Sequence, residues 1–310
     1  MSKADLEAGL GIRPVQFIYR DDFVVQPSVP APGEPFETGA NGTEYLMEAR
    51  KLTDGTNNIR VWAISNTNNI DTAPGTLMAN FVDVPAQLYG RFTVPSTQPN
   101  AVGPFCMSVG ATTAPLLNGG YAAFTATIPK AGGKLYGALP FGARDGAGLA
   151  RDIIAWEAVK PSVASNGVPS ASILNQGLIV PRTGYSLLDP AFAFNISGTG
   201  VLGFSITNES RFVPGGFPST AVIKFTTTGP TGGLIVSGQG VSSADEFVGC
   251  SLNENGIDRW GDYGAATVDA ATGFFYTANE NISGPRGFRT NWGTFITRMN
   301  IVNTLTTSHN

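Results

Sequence analysis

A glycine-bearing turn between two β-rich runs recurs three times in this chain, and a fixed recurrence of that kind constrains a fold more than any local preference. The first copy is Ala123-Phe124-Thr125-Ala126-Thr127, then Lys130-Ala131-Gly132-Gly133, then Lys134-Leu135-Tyr136-Gly137-Ala138. The second is Ala191 to Phe194, then Ser197 to Gly200, then Val201 to Ser205. The third is Ala265 to Val268, then Asp269 to Gly273, then Phe274 to Ala278. Each reads as a β-hairpin. The turn glycines Gly133, Gly200 and Gly273 lie 67 and 73 residues apart.

A second strand type follows each hairpin: Asp152 to Glu157, Ala221 to Phe225 and Gly293 to Arg298. Asn58 to Ile64 is an earlier copy, and Leu178 to Val180 and Gly233 to Val236 supply further β-rich runs. Four strands in units of about 65–75 residues predict an all-β propeller of about four blades, or part of a larger ring. Small residues such as Ala123, Ala191 and Ala265 suit the narrow inner strands. The first unit, around Glu44 to Glu48 and Val61 to Ile64, shows no inner strand. An unpaired edge demands a partner. Candidates are residues 15–25, the tail after Asn300, or another chain, so self-association or a missing propeller portion is expected. The organisation that follows is a strand and Pro/Gly-rich covering segment over 1–42, blades over 43–303 and a tail over 304–310. One short helix is expected from Lys3 to Gly9.

Composition supports this and removes several functions. With 39 glycines and 21 prolines in 310 residues, long helices have little room. A net charge of −4 without any Lys/Arg cluster argues against nucleic-acid binding. No apolar run is long enough for a spanning helix. The N-terminus lacks the apolar stretch of a signal peptide, so the chain is either intracellular or exported after losing one. The single histidine, His309, is penultimate. That makes a Ser-His-Asp device improbable and excludes histidine-rich metal sites. Any catalysis falls to carboxylates, Tyr, Arg or a hard metal bound by oxygen. No cofactor is expected. Ca²⁺ is a weak option at Asp21-Asp22 and Asn66 to Asn69, where no EF-hand spacing occurs and a turn explains the asparagines. Cys106 and Cys250 are either one bridge or two buried thiols.

The run Arg259-Trp260-Gly261-Asp262-Tyr263-Gly264, continuing Ala265 to Asp269, resembles an uncharacterised group of bacterial, mostly secreted β-propeller proteins with an R-W-G-D-Y-S signature and sialidase-like architecture. Arg289 to Ile296, Ile59 to Ile64 and Phe217 to Ala221 also resemble theirs. Gly264 replaces the signature serine, and no S-x-D-x-G-x-x-W box is present. The resemblance implies a secreted or periplasmic protein with the C-terminal part of such a ring.

Within the signature, the Arg259 fork suits a carboxylate, and Asp262 follows three residues later. This cluster is either a staple between blades or a site for a carboxylate or carbohydrate. Candidate ligand-binding residues are Arg259, Trp260, Arg286, Arg289 and Trp292. Candidate catalytic residues are Asp262, Tyr263 and Glu280, a set of acids and a phenol suited to glycosidic chemistry. The preferred expectation is an extracytoplasmic recognition or assembly module without catalysis, facing a carbohydrate or protein surface. The first alternative is a sialidase-like glycoside hydrolase or lyase, whose residues would share one pocket with a perturbed carboxylate. The second is a capsid or appendage subunit, whose strands would stack in two sheets.

Overall fold

The computed structural model describes residues 3–10, 14–19, 24–51, 57–87, 89, 93–145, 147–250, 256–285 and 291–301. The chain is a β-propeller. After a short helix α1 (Lys3–Glu7), four strands form the first blade: β1 (Val25–Pro30), β2 (Thr43–Lys51), β3 (Asn57–Ser65) and β4 (Met78–Pro85). Helix α2 (Pro104–Ser108) and strand β5 (Leu116–Asn118) precede the second blade, β6 (Ile128–Ala131), β7 (Lys134–Arg144), β8 (Ala150–Val163) and β9 (Pro169–Ile179). The third blade is β10 (Tyr185–Phe194), β11 (Thr199–Asn208), β12 (Ser219–Thr226) and β13 (Gly229–Gly238). Helix α3 (Phe247–Cys250) and strand β14 (Ile257–Arg259) lead to a three-stranded fourth blade, β15 (Ala265–Val268), β16 (Phe275–Asn281) and β17 (Gly293–Met299). Each blade is an antiparallel meander.

The blades are radial. Pro30, Pro129, Phe194 and Val268, one from each innermost strand, line one apolar hollow of about 40 Å³. The first two blades are also joined at the centre, where β1 runs parallel to β6 with Ser28 beside Ile128. Two stacked sheets are therefore ruled out, and with them the capsid-like alternative.

Strand β1 was not legible in the sequence. Its prolines read as a loop, yet Val25, Gln26 and Pro27 pair with β2 and the next three residues pair with β6. An innermost strand is an edge, where a missing N–H is tolerated. This strand fills the inner position of the first blade from within the chain. Of the described residues among 15–25, Val25 alone belongs to β1; residues 20–23 and the tail beyond Ile301 lie outside the described residues. Residues 15–19 do not form a strand. Tyr19 instead sets its ring 4.5 Å from Trp62, and its hydroxyl donates to the Ala79 carbonyl. The second correction is at Ala123, which precedes the inner strand; the true strand starts at Ile128. The turn was read correctly, with Gly132 and Gly133 both at positive φ (58° and 69°), a conformation glycine adopts without strain.

Alternation explains the packing. On β3, Ile59, Val61 and Ala63 face the second blade beside Leu135, Leu139 and Val159. Between the second and third blades, Tyr136 stacks on Phe194 at 3.8 Å, and Trp156 meets Phe225 edge-on at 5.5 Å. These large side chains are fully or almost fully buried. No described helix is long and apolar enough to cross a membrane.

Candidate functional site

One end of the propeller carries a crown built from residues 93–118, 239–250 and 256–264. The crown has little apolar core of its own: Leu117, Ala244 and Trp260 pack with Leu188 and Ile282 of the blades. Polar links do much of the fastening. The parallel pair β5/β14 joins Leu116 to Ile257. Asp152, at the start of β8, accepts the Val94 N–H at 2.8 Å and the Ser96 hydroxyl at 2.7 Å. Cys106 and Cys250 are bridged, with Cα atoms 4.9 Å apart, which settles the choice the sequence left open.

Against this crown opens a cavity of about 440 Å³, lined by Glu246, Arg259, Gly261, Asp262, Tyr263, Glu280 and Trp292. Five side chains expected from sequence thus meet in one place: Arg259, Asp262, Tyr263, Glu280 and Trp292. The signature loop runs directly into β15, while Glu280 comes from neighbouring β16, whose Ala278 pairs with Ala265. That pairing brings the two halves of the site together.

Arg259 donates to both oxygens of Asp262, at 2.8 and 2.9 Å, with both side chains well exposed (71% and 58%). The pair forms as expected, but in solvent at the site rather than as a buried staple between blades. Tyr263 and Trp292 stand 71% and 50% exposed, two aromatic faces beside the carboxylates. Trp260 is a correction. It is 2% exposed and belongs to the crown's core, so its ring is not available to a ligand. Arg286 and Arg289 lie outside the described residues, as do Asp21 and Asp22. Asn66 to Asn69 form a turn: Asn66 bonds the Thr76 carbonyl at 2.8 Å and Asn69 the Thr76 hydroxyl at 2.9 Å.

Glu280 has a raised pKa, first because it is partly buried and also because Asp262 is near; the Gly261 N–H that donates to it pulls the other way. Its own carbonyl accepts the Ser205 hydroxyl at 2.9 Å, tying β16 to the third blade. A perturbed carboxyl within the cavity is what the hydrolase alternative expected.

Two acids at the site were missed. Glu246 gives no sequence signal. Asp189 gives one: it interrupts the apolar run Leu187-Leu188-Asp189-Pro190-Ala191-Phe192. It sits in a register shift of β10 at φ 49° and is 2% exposed. Neither carboxyl oxygen has a hydrogen-bond partner among the described residues. Burial pushes its pKa well up, and Glu280, Asp262 and Asp152 push further. Asp189 lies beneath Gly261, where a Cβ would stand 2.4 Å from Oδ2, so the signature requires glycine there.

No protein-family model and no curated protein matches the sequence. Similar solved structures include an α-L-arabinanase mutant from Cellvibrio cellulosa, with TM-score 0.34 and 11% identity over 91% of this chain and 72% of that one. An α-L-arabinanase from Penicillium chrysogenum has TM-score 0.36 and 13% identity over 90% and 78%. An exo-1,5-α-L-arabinanase from a bovine ruminal metagenomic library has TM-score 0.32 and 11% identity over 88% and 69%.

The expectation of a module without catalysis is overturned. The candidate acids share one pocket and one of them is perturbed, which is the arrangement the hydrolase alternative required.

Proposed function

We propose that this protein is a glycoside hydrolase that cleaves a glycosidic bond at the crown end of the propeller. One observation carries the reading: a single cavity is lined by Glu280 and Asp262 together with the exposed side chains of Tyr263 and Trp292. Glycosidic cleavage needs one carboxyl that holds a proton for the leaving oxygen and a second that is ionised on the other side of the sugar. Glu280, with its raised pKa, is the proton donor. Asp262, which accepts from Arg259, is the second carboxyl, which activates water or attacks the anomeric carbon. The two rings supply flat apolar faces on which a sugar stacks, and Arg259 bonds its hydroxyls.

The test is hydrolysis of a panel of arabinan, xylan and sialyllactose by the full chain and by Glu280→Gln and Asp262→Asn. Each variant should lose at least about a hundredfold in kcat while still binding its sugar. Activity retained in both would remove the assignment, as would failure of the parent on glycosides of every class.

A further inference from the structure

Two walls of the cavity come from segments far apart in sequence; Asn291 joins them through the main chain of Ser243 and Asp245, and the buried Asp245 carboxylate ties them to α2. Asp245 accepts the Phe105 N–H at 3.1 Å and the Cys106 N–H at 2.8 Å. Its own N–H donates to Asn291 Oδ1 at 3.0 Å, and Asn291 Nδ2 returns to the Ser243 carbonyl at 2.8 Å. Glu246 follows Asp245 in the chain, and Trp292 follows Asn291; both line the cavity. The Cys106–Cys250 bridge closes the same knot, and both sulfurs lie within 4.8 Å of an Asp245 oxygen. The fit is tight: a Cβ on Gly103 would stand 2.2 Å from the Asp245 carboxyl carbon.

Among the described residues, the bridge is the one covalent link at these walls. The crown's apolar cluster is small and lies around Trp260 and Leu117, on β14 and β5. Other links among the described residues are the β5/β14 pair and hydrogen bonds such as Ala244 N–H to Gln98 at 2.8 Å and the Ser243 hydroxyl to the Pro99 carbonyl at 2.6 Å. A segment with few buried apolar contacts opens locally at a free energy well below global unfolding. A covalent link across 144 residues removes much of that freedom.

We infer that Asp245 and the Cys106–Cys250 bridge form one clamp that positions Glu246 and Trp292, so that the cavity is assembled only in the oxidised protein. Reduction adds two electrons and two protons across the sulfur–sulfur bond, drawn from a dithiol that closes to its own disulfide. The two thiols then separate, Asp245 loses its fixed partners on α2, and both walls loosen while the blades stay folded. The site thereby works in an oxidising compartment and is switched off in a reducing one. Asp245 acts through its neighbours and is a positioning residue. This inference rests on the glycosidase reading only for what the cavity binds.

The experiment is hydrogen exchange followed by mass spectrometry on the full chain, oxidised and after equilibration with dithiothreitol, and on Cys106→Ala/Cys250→Ala and Asp245→Asn. Protection should fall at least about tenfold over residues 104–110, 243–250 and 291–292, and stay unchanged in β3, β8, β11 and β12. Asp245→Asn should loosen the same three segments with the bridge intact. Unchanged protection after reduction would overturn the clamp. Equal loss in the blades would show a general staple instead, and overturn it too. If Asp245→Asn behaves as the parent, Asp245 has no part in it. None of these readouts needs turnover, so failure of the hydrolase assignment leaves this result standing, and the reverse holds.

Discussion

The blades and the crown are held by different forces. The blades bury broad apolar faces, with Phe204, Leu202 and Leu187 fully enclosed between the second and third and Met47, Ile59 and Leu139 between the first and second. The crown fastens its segments with side-chain-to-backbone bonds, a short parallel pair and a disulfide. Burial is non-directional and tolerates exchange of similar residues; hydrogen bonds and a bridge fix atoms individually. The cavity lies where these regimes meet, with Glu280 on a blade strand and Glu246, Arg259, Asp262 and Tyr263 on the crown. A rigid frame therefore presents one acid, and a separately fastened layer presents the other.

The largest effect expected from breaking this division is in a blade. Phe204→Ala should cost about 3–5 kcal/mol and lower the melting temperature of the whole molecule, because the side chain is wholly enclosed. Gly103→Ala attacks the crown instead. Its Cβ would overlap Asp245, and the displacement should cost about 1–3 kcal/mol, read as local loss of exchange protection rather than a comparable fall in the main melt.

A third test uses pH. Glu157 sits wholly buried on β8, and burial raises its pKa from 4.5 to about 8, opposed by a hydrogen bond from Gln87. Between those values the folded chain holds a proton that the unfolded chain has released, so this group's contribution to stability falls as pH rises from about 4.5 to about 8. Glu157→Gln keeps the oxygen that accepts from Gln87. It should flatten the melting-temperature profile over that window and exceed the parent in stability above it. Melting curves at half-unit pH steps would check this.

The smallest effect falls on Arg259. Its pair with Asp262 stands in solvent, so Arg259→Ala should change stability by no more than about 1 kcal/mol. A change in sugar affinity without a change in melting temperature would assign the residue to the site alone. A clear drop in melting temperature would restore the staple.

Much of the blade architecture was legible because alternation and turn chemistry are local. Ala191–Phe194, Ala265–Val268 and the strands around Trp62, Trp156, Phe225 and Phe295 all fall where the pattern put them. The inner strand of the first blade was hidden because prolines ordinarily argue against a strand, and only a central, half-unpaired position accepts them. In the site, Arg259, Asp262, Tyr263, Glu280 and Trp292 were chosen by residue type, and the β15/β16 register is what gathers them. Trp260 carried the same chemistry as Trp292 in the sequence; burial alone separated them.

The sequence by itself determined that this chain is a set of Gly-turned meanders with no histidine to spare, because periodicity and composition act within a few residues. Tertiary structure alone decided that Asp189 is enclosed beneath Gly261, that Cys106 meets Cys250, and that Asp245 ties two distant loops around one cavity. Which distant group a buried side chain meets is a property of the packed chain and leaves no local mark, even where, as at Asp189, a polar residue interrupts an apolar run.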